Sequence, residues 1–184
     1  VLSGLSNVGE NRVQEAIDKY AELKDLNLKW HLIGSLQTNK IKKALQIFDL
    51  IHSVDRVKLA EEINKEAQKV SKKQEILLQV NVSGEETKSG FSLEELEVGL
   101  IEISKMDNLI VKGLMTIAPN TEDEKLVSFC FSSLKKLMDR INEKKYFSQD
   151  LDVLSMGMSN DYKIAIVEGS SMIRLGRAIF GERS

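Results

Sequence analysis

The sequence predicts an α/β fold in which a parallel sheet is wound as a (β/α)8 TIM barrel. Three observations predict it: short β-rich segments alternate with segments of helical spacing, the strand segments are almost uninterruptedly apolar, and polar residues follow most of them. Apolar strands of this kind are typical of parallel sheets that are covered on both faces. The alternative is an open doubly wound sheet, which is weakened because no strand-to-helix junction carries the dinucleotide fingerprint G-x-G-x-x-G.

Seven segments are predicted to be strands. In chain order they are residues 5–8, 29–34 (KWHLIG), 49–53 (DLIHS), 75–82 (EILLQVNV), 108–117 (NLIVKGLMTI), 151–156 (LDVLSM) and 171–175 (SMIRL). A standard (β/α)8 barrel needs eight strands, and residues 1–9 hold one short strand at most. We therefore expect either that this sequence lacks the first βα unit or that the barrel is open.

The predicted helices fill the intervals between the strands. After Asp55, the apolar residues Leu59, Ile63, Ala67 and Val70 recur at three- and four-residue steps, as on one face of an amphipathic helix.

Two helix starts carry a capping-box pattern. Ser92 with Glu95 predicts one capping box, and Thr121 with Glu124 predicts a second.

Composition limits the classes of protein that need to be considered. A chain of 184 residues that is 42% hydrophobic and has a formal net charge of -2 is large enough for one core, and we expect one domain. No apolar run approaches the roughly 20 residues that span a bilayer, and no signal peptide is recognisable, so we expect no membrane partner and a cytoplasmic location. No basic block is set apart from acidic residues, which argues against nucleic acid. The single cysteine, Cys130, excludes an internal disulfide and is expected to be buried.

Several catalytic motifs are absent from the sequence. The stretch GSLQTNK (34–40) resembles a phosphate-binding P-loop, but Asn39 stands in place of the second glycine and Ile41 in place of the Ser or Thr. His31 and His52 each lie near a strand end without metal-ligand spacing, and we interpret them as structural residues. No G-x-S-x-G elbow is present, so neither metal catalysis nor acyl transfer is expected.

Polar residues collect instead where the predicted strands end. They are Glu10, Asn11, Ser35, Gln37, Ser53, Asp55, Asn81, Ser83, Thr116, Ser155 and Ser159. Site residues that are spread over so many strand ends favour a barrel whose active face is built from all of its βα loops.

The C-terminal quarter carries the strongest candidate site. Ser159 is predicted to be the N-cap of a helix through Tyr162 to Val167, and Arg174 lies on the last strand with Gly176 following it. A guanidinium and free backbone amides beside one another predict an anion site, and barrels often bind phosphate after strands 7 and 8. The alternative is that Ser159 only caps the helix, Arg174 forms a surface ion pair and the glycine makes a turn.

Seven ordered blocks resemble the signatures of the YggS/PROSC family of pyridoxal phosphate homeostasis proteins. They are VGENRVQE (8–15), WHLIGSLQTNK (30–40), IHSVD (51–55), QVNVSGEETKSGF (79–91), KGLMTI (112–117), LSMGMSND (154–161) and GSSMIRLGRAIFGER (169–183). The resemblance implies that residues 1–184 form a single PLP-binding (β/α) barrel domain, similar to the barrel of alanine racemase and of eukaryotic ornithine decarboxylase. It implies bound pyridoxal 5'-phosphate (PLP) without an established reaction, and a role in balancing vitamin B6 and amino-acid pools.

The same resemblance implies roles for individual residues. The phosphate would be held by Ser159, Arg174 and Gly176. The ring side of the cofactor would be lined by Ser155 and Met156, and Asn11 would lie near the substituents of the ring.

In the family, PLP forms a Schiff base with a lysine at the end of the first strand, in a segment resembling V-A-V-S-K that precedes the G-E-N block. The resemblance implies that this lysine lies upstream of Val1 and that the sequence is incomplete at its N-terminus. The first lysine of the sequence, Lys19, follows the G-E-N block and is not the counterpart of the family lysine. Phosphate contacts alone hold one end of the cofactor, so we expect weaker, reversible binding.

Lys88 is a further amine on the expected active face. It could reach a second PLP there or accept the cofactor during transfer. The alternative is a solvated loop lysine.

Three functions from different classes remain open. The first is a monomeric PLP carrier or regulatory protein, whose partners would include apo PLP-dependent enzymes. The second is a PLP-dependent enzyme similar to an amino-acid racemase, which needs a lysine and an opposed acid or base. The third is an interaction module without a cofactor.

Overall fold

A computed structural model describes residues 4–85 and 88–181 of the chain, and its centre is a seven-stranded parallel sheet. The strands are β1 (Asn7–Glu10), β2 (Lys29–Leu32), β3 (Leu50–Val54), β4 (Gln74–Gln79), β5 (Leu109–Met115), β6 (Val153–Met158) and β7 (Met172–Arg174). The helices are α1 (Val13–Leu23), α2 (Ile41–Ile47), α3 (Val57–Lys69), α4 (Leu93–Ile103), α5 (Glu124–Lys144), α6 (Tyr162–Val167) and α7 (Arg177–Phe180). Each strand pairs in parallel with the next one along the chain, so the spatial order is the sequence order.

Each of the seven predicted strand segments overlaps an observed strand. The first strand, β1, was predicted at residues 5–8 and lies at Asn7–Glu10. Its position is set by parallel pairing with β2, in which Asn7 is opposite Lys29, and not by the local apolar pattern. Leu5, which anchored the prediction, is 61% exposed.

The capping box at the start of α4 is confirmed. The side chain of Ser92 accepts a hydrogen bond from the backbone N–H of Glu95 at 3.2 Å, and the Glu95 carboxylate accepts one from the backbone N–H of Ser92 at 3.0 Å.

The predicted box at Thr121 is wrong. Helix α5 begins at Glu124, and its N-cap is Asp123, whose carboxylate accepts hydrogen bonds from the backbone N–H groups of Lys125 and Leu126. An aspartate reaches these donors as well as a threonine does, and it lies directly before the helix. Thr121 instead accepts a hydrogen bond from the backbone N–H of Asp123 and orders the approach to the helix.

The sheet curls into a nearly closed α/β barrel. His52 on β3 and Ser155 on β6 lie on strands that are not neighbours in the sheet, yet their side chains are 2.9 Å apart. Only a curved sheet brings the inner faces of these strands together. Within the described residues, β1 and β7 form the two edges. The predicted α/β barrel class is therefore confirmed.

The barrel interior contains an apolar layer and a polar layer. The apolar layer consists of Leu50, Leu77 and Met115, packed against Val153 and Met172.

The polar layer lies one step further toward the carboxyl ends of the strands. Because alternate residues of a strand share a face, the residues two positions beyond the apolar layer on β3, β6 and β7 also belong to the inner face. They are His52, Ser155 and Arg174.

The larger core lies between the sheet and the helices. The predicted apolar face of α3 is buried at Leu59, Ile63 and Ala67, whereas Val70 is 53% exposed because the helix ends at Lys69. Cys130 on α5 is buried, as expected, and burial raises the pKa of its thiol. No helix of the described chain is both long and apolar enough to cross a membrane.

Candidate ligand site at the carboxyl end of the barrel

Arg174, the last residue of β7, places a half-buried positive charge at the carboxyl end of the barrel. Its Nη1 donates a hydrogen bond to Oγ of Ser155 at 2.7 Å, and its Nη2 donates one to the carbonyl oxygen of Thr116 at 2.9 Å. Burial lowers the pKa of the guanidinium to about 10, so the group remains charged at neutral pH. Among the described residues, no carboxylate forms a salt bridge with it.

Within the described residues, the guanidinium of Arg174 has two hydrogen-bond acceptors and no carboxylate at salt-bridge distance. A guanidinium has five N–H donors, and a buried cation is stable only where further partners are supplied. Asp161 raises the pKa of Arg174 through its charge, but its own Oδ1 accepts a hydrogen bond from the backbone N–H of Met158 at 2.5 Å. An anion brought to Arg174 would supply the missing charge.

Ser155 lies wholly inside the barrel. Its side chain has no exposed surface, and its Oγ lies 2.7 Å from Nη1 of Arg174 and 2.9 Å from Nδ1 of His52. Met156, the next residue, is also fully buried and belongs to the larger core.

Gly157 allows the tight turn that joins β6 to α6. Its φ is +93°, and a Cβ at this position would lie 2.5 Å from Cβ of Ala165 and 3.1 Å from Cα of Tyr162. A side chain would therefore push α6 away from the strand end.

The prediction that Ser159 caps α6 is wrong. The helix begins at Tyr162 and not directly after Ser159, and the N-cap position is occupied by Asp161. Two residues separate Ser159 from the helix because the chain turns after β6. Oγ of Ser159 instead accepts a hydrogen bond from the backbone N–H of Ala178 at 3.2 Å.

That bond joins the loop after β6 to the turn after β7. Gly176 precedes α7, and a Cβ added to it would meet no atom within 4 Å, so the space beside it is open. Within the described residues, the backbone N–H of Gly176 donates to no acceptor. The structure thus brings Ser159 and Gly176 to the same end of the barrel as Arg174.

A cavity of about 340 Å³ opens at the same end of the barrel, over the carboxyl ends of β1, β2, β4 and β5. It is lined by Asn11, Ile33, Gly34, Ser35, Gln79, Val80, Asn81, Lys88, Ser89 and Ile117.

Two predicted residues, Asn11 and Lys88, share this cavity. A Cβ on Gly34 would collide with the carbonyl oxygen of Asn11, so the glycine lets the loops after β1 and β2 touch. The Nζ of Lys88 is buried and forms an ion pair with Oε1 of Glu85 at 2.8 Å. The geometry of this pair is not that of a hydrogen bond.

The Schiff-base lysine that the family resemblance implies was expected upstream of Val1. Val1 itself lies outside the described residues, which begin at residue 4, so the position of that lysine stays a prediction. Lys19 is on α1, where its Nζ lies 2.5 Å from Oε1 of Glu10, and it does not line the cavity. Among the described lysines, Lys88 is therefore the one that reaches the cavity.

The end of β5 connects the cavity to Arg174. The backbone carbonyl of Thr116 accepts a hydrogen bond from Arg174, and Oγ1 of Thr116 donates one to the carbonyl of Val80 at 2.8 Å. Both Val80 and Ile117, the residue after Thr116, line the cavity. A guanidinium, an open backbone amide and a hydroxyl form a donor set that suits a phosphate monoester. A cavity of this size suits a small ring attached to it.

The two histidines contact each other directly, which their separate positions in the sequence did not indicate. Nδ1 of His31 lies 2.9 Å from Nε2 of His52, and both side chains are buried. Burial lowers the pKa of both, that of His52 to about 2. In the parallel register His31 is opposite Leu50, and Leu50 shares a face of β3 with His52, two residues further on. Once β2 and β3 are paired in this register, strand alternation places both imidazoles on the same face of the sheet.

Comparison with protein families supports one relationship over the whole chain. The family model described as the alanine racemase N-terminal domain matches residues 1–184. The pyridoxal phosphate homeostasis protein of Aquifex aeolicus (strain VF5) is 47% identical over 180 residues, which are 98% of this chain and 78% of that protein. The protein of that name from Pseudomonas aeruginosa is 40% identical over 181 residues, 98% of this chain and 76% of that protein.

Solved structures show the same relationship. PipY of Synechococcus elongatus PCC7942, in a structure with PLP bound, is 37% identical with a TM-score of 0.91, covering 98% of this chain and 84% of PipY. Alanine racemase of Clostridium difficile 630 is 15% identical with a TM-score of 0.81, covering 99% of this chain and 46% of the racemase. The racemase is similar in fold alone.

Proposed function

Because the chain belongs to the family of pyridoxal phosphate homeostasis proteins, which share the alanine racemase N-terminal domain, we propose that it binds PLP and acts as a carrier or regulator of the cofactor. The observation that carries this proposal is the half-buried Arg174 at the end of β7, which forms no salt bridge with a carboxylate among the described residues. The PLP-bound structure of PipY supports it.

In this proposal Arg174 binds the phosphate. The guanidinium supplies charge and N–H donors, the backbone N–H of Gly176 supplies a neutral donor, and the hydroxyl of Ser159 lies on the adjoining loop. Ser155 acts through its hydrogen bond to Arg174, since its oxygen already lies between that guanidinium and His52. Met156 belongs to the larger core between the sheet and the helices.

The rest of the ligand would extend from Arg174 toward the cavity at the ends of β1, β2, β4 and β5. Asn11 lies there and is placed to contact substituents of the ring. When bound, PLP supplies an aldehyde and an electron-withdrawing ring. The amine of Lys88 lies in the same cavity, held beside Glu85, and is placed to receive a second PLP or to assist transfer.

The lining of the cavity favours carriage over catalysis. Apart from Lys88, its polar side chains are amides and hydroxyls, which neither give nor take protons readily near neutral pH. Racemase-like chemistry needs an acid and a base on opposite sides of the substrate. The described lining offers one amine, so we propose that PLP is passed on to apo PLP-dependent enzymes.

Equilibrium dialysis of the purified chain against PLP tests this function. We expect one PLP per chain, released on dilution, and no change in the chirality of alanine after incubation with the loaded protein. An Arg140→Gln variant, which removes an exposed arginine on α5, should bind as the wild type does.

Two results would contradict the proposal. A chain that retained no PLP would support the interaction module without a cofactor. Racemisation that disappeared in a Lys88→Gln variant would support the enzyme. Reductive trapping followed by peptide mapping shows separately whether Lys88 carries PLP.

A further inference from the structure

A line of hydrogen bonds crosses the barrel interior and ends on Arg174. Nδ1 of His31 lies 2.9 Å from Nε2 of His52, and Nδ1 of His52 lies 2.9 Å from Oγ of Ser155, which accepts from Nη1 of Arg174 at 2.7 Å. At the other end, Nε2 of His31 lies 3.2 Å from Oδ1 of Asn7 on β1. These side chains, which we call the interior relay, link the two edge strands of the sheet.

The interior relay has a preferred direction. Arg174 has only donors, so the oxygen of Ser155 must accept from it. If the Ser155 hydroxyl then donates to Nδ1 of His52, that ring carries its proton on Nε2 and donates to Nδ1 of His31. His31 in turn carries its proton on Nε2 and donates to Asn7, so all four ring nitrogens and the hydroxyl of Ser155 have a partner.

The reverse direction leaves one group without a partner. Ser155 would accept from both Arg174 and His52, and its own proton would have no acceptor in the relay. An unpaired buried donor costs about 1–3 kcal/mol. The first arrangement is therefore favoured, with both imidazoles neutral and protonated on Nε2.

Packing alone does not account for the polar side chains in this position. The layer directly beneath is filled by apolar residues such as Leu50 and Met172, so the same interior packs without hydrogen bonds. Buried polar groups are costly unless they are all paired. Arg174 is the end of the relay that lies at the ligand site. The relay therefore acts on the orientation of its guanidinium.

We propose that His31 and His52 are positioning residues for Arg174. They fix the hydroxyl of Ser155 with its lone pair toward the guanidinium, and the guanidinium is thereby held in one orientation with its remaining N–H groups available to a phosphate. This inference rests on the proposed function, because it takes Arg174 as the residue that binds the phosphate of PLP.

A pair of variants at position 52 separates positioning from packing. In His52→Asn the side-chain oxygen lies near the former Nδ1 and still accepts from Ser155, whereas His52→Leu keeps more of the volume and has no acceptor. We expect PLP and inorganic phosphate to bind at least about tenfold more weakly to the leucine variant and within about threefold of wild type to the asparagine variant. Equal losses in both variants, or wild-type binding by the leucine variant, would overturn the positioning role.

Nitrogen-15 NMR of the wild-type chain without ligand tests the relay even where a variant fails to fold. The chain has two histidines, so the ring signals are readily assigned. We expect both rings to be neutral and protonated on Nε2 at neutral pH. A wild-type chain that bound PLP but had either ring protonated on Nδ1 would overturn the positioning role alone. A wild-type chain that bound neither PLP nor phosphate would overturn the proposed function together with it.

Discussion

Nη1 of Arg174 donates a hydrogen bond of 2.7 Å to Oγ of Ser155, and this contact joins β7 to β6 inside the barrel. The serine oxygen has no exposed surface, while the arginine lies where the strand ends. Ser155 therefore orients Arg174, and substitutions of the two residues should not have independent effects on PLP affinity.

Replacing Arg174 should weaken PLP binding much more than it changes the stability of the fold. In Arg174→Gln, the loss of a charge-assisted contact should weaken PLP binding about 10- to 100-fold. The free energy of unfolding should change by less than about 1 kcal/mol, because the lost hydrogen bonds are offset by removal of a half-buried charge that has no carboxylate partner among the described residues. Fluorescence titration and urea unfolding measure the two quantities. A variant that bound normally would remove Arg174 from the site.

Replacing Ser155 should act through Arg174. Ser155→Ala leaves Nη1 of Arg174 and Nδ1 of His52 without their partner, and should lower the free energy of unfolding by about 1–3 kcal/mol and weaken PLP binding several-fold. The double variant Ser155→Ala/Arg174→Gln should bind no more weakly than Arg174→Gln alone. Additive losses would show instead that Ser155 contacts the ligand by itself.

His52 should make the stability of the protein depend on pH below the ordinary histidine pKa. Burial lowers its pKa to about 2 in the folded chain, with His31 and Arg174 acting in the same direction. Between about pH 6.5 and that value the unfolded chain binds a proton that the folded chain does not, so the free energy of unfolding falls by about 1.4 kcal/mol per pH unit as the pH decreases. Above about pH 6.5 this residue contributes no dependence.

The comparison with His52→Asn isolates that contribution. Urea unfolding at about pH 5, 6 and 8 should show wild type losing stability faster than the variant at the two lower values only. Carboxylates titrate in both proteins and cancel in the difference. Parallel pH dependences would mean that His52 titrates normally in the folded state.

Gly157 should tolerate no side chain. Gly157→Ala combines an unfavourable positive φ with a Cβ contact of 2.5 Å to Ala165. Gly169→Ala is the matched control, because its φ is +92° but its nearest contact is an ordinary 3.8 Å to Lys135. We expect the control to cost about 1 kcal/mol of unfolding free energy and Gly157→Ala at least about 2 kcal/mol more, with weaker PLP binding. Equal unfolding midpoints would show that α6 moves away freely.

Local patterns predicted the strands and much of the site, but not the contacts across the interior. Arg174 and Gly176 were found because they follow one another on a strand and match a family signature. The contact between His52 and Ser155 depends on the curvature of the whole sheet, since 103 residues separate them, and no local pattern encodes it.

The wrong predictions have a common cause. At Thr121 and Ser159 the hydroxyl was favoured as a cap, while an aspartate two residues later lies directly before the helix at Asp123 and Asp161. The position of β1 was likewise set by its partner strand and not by its own apolar residues. Short motifs locate these features only to within about one turn.

Binding of PLP and of pyridoxal, which lacks the phosphate, to wild type and to Arg174→Gln tests the central claim most directly. If Arg174 binds the phosphate, wild type should prefer PLP by about tenfold or more, and the variant should lose most of that preference. Arg140→Gln should keep it. Equal affinity of the wild type for the two ligands, or an undiminished preference for PLP in Arg174→Gln, would contradict the account.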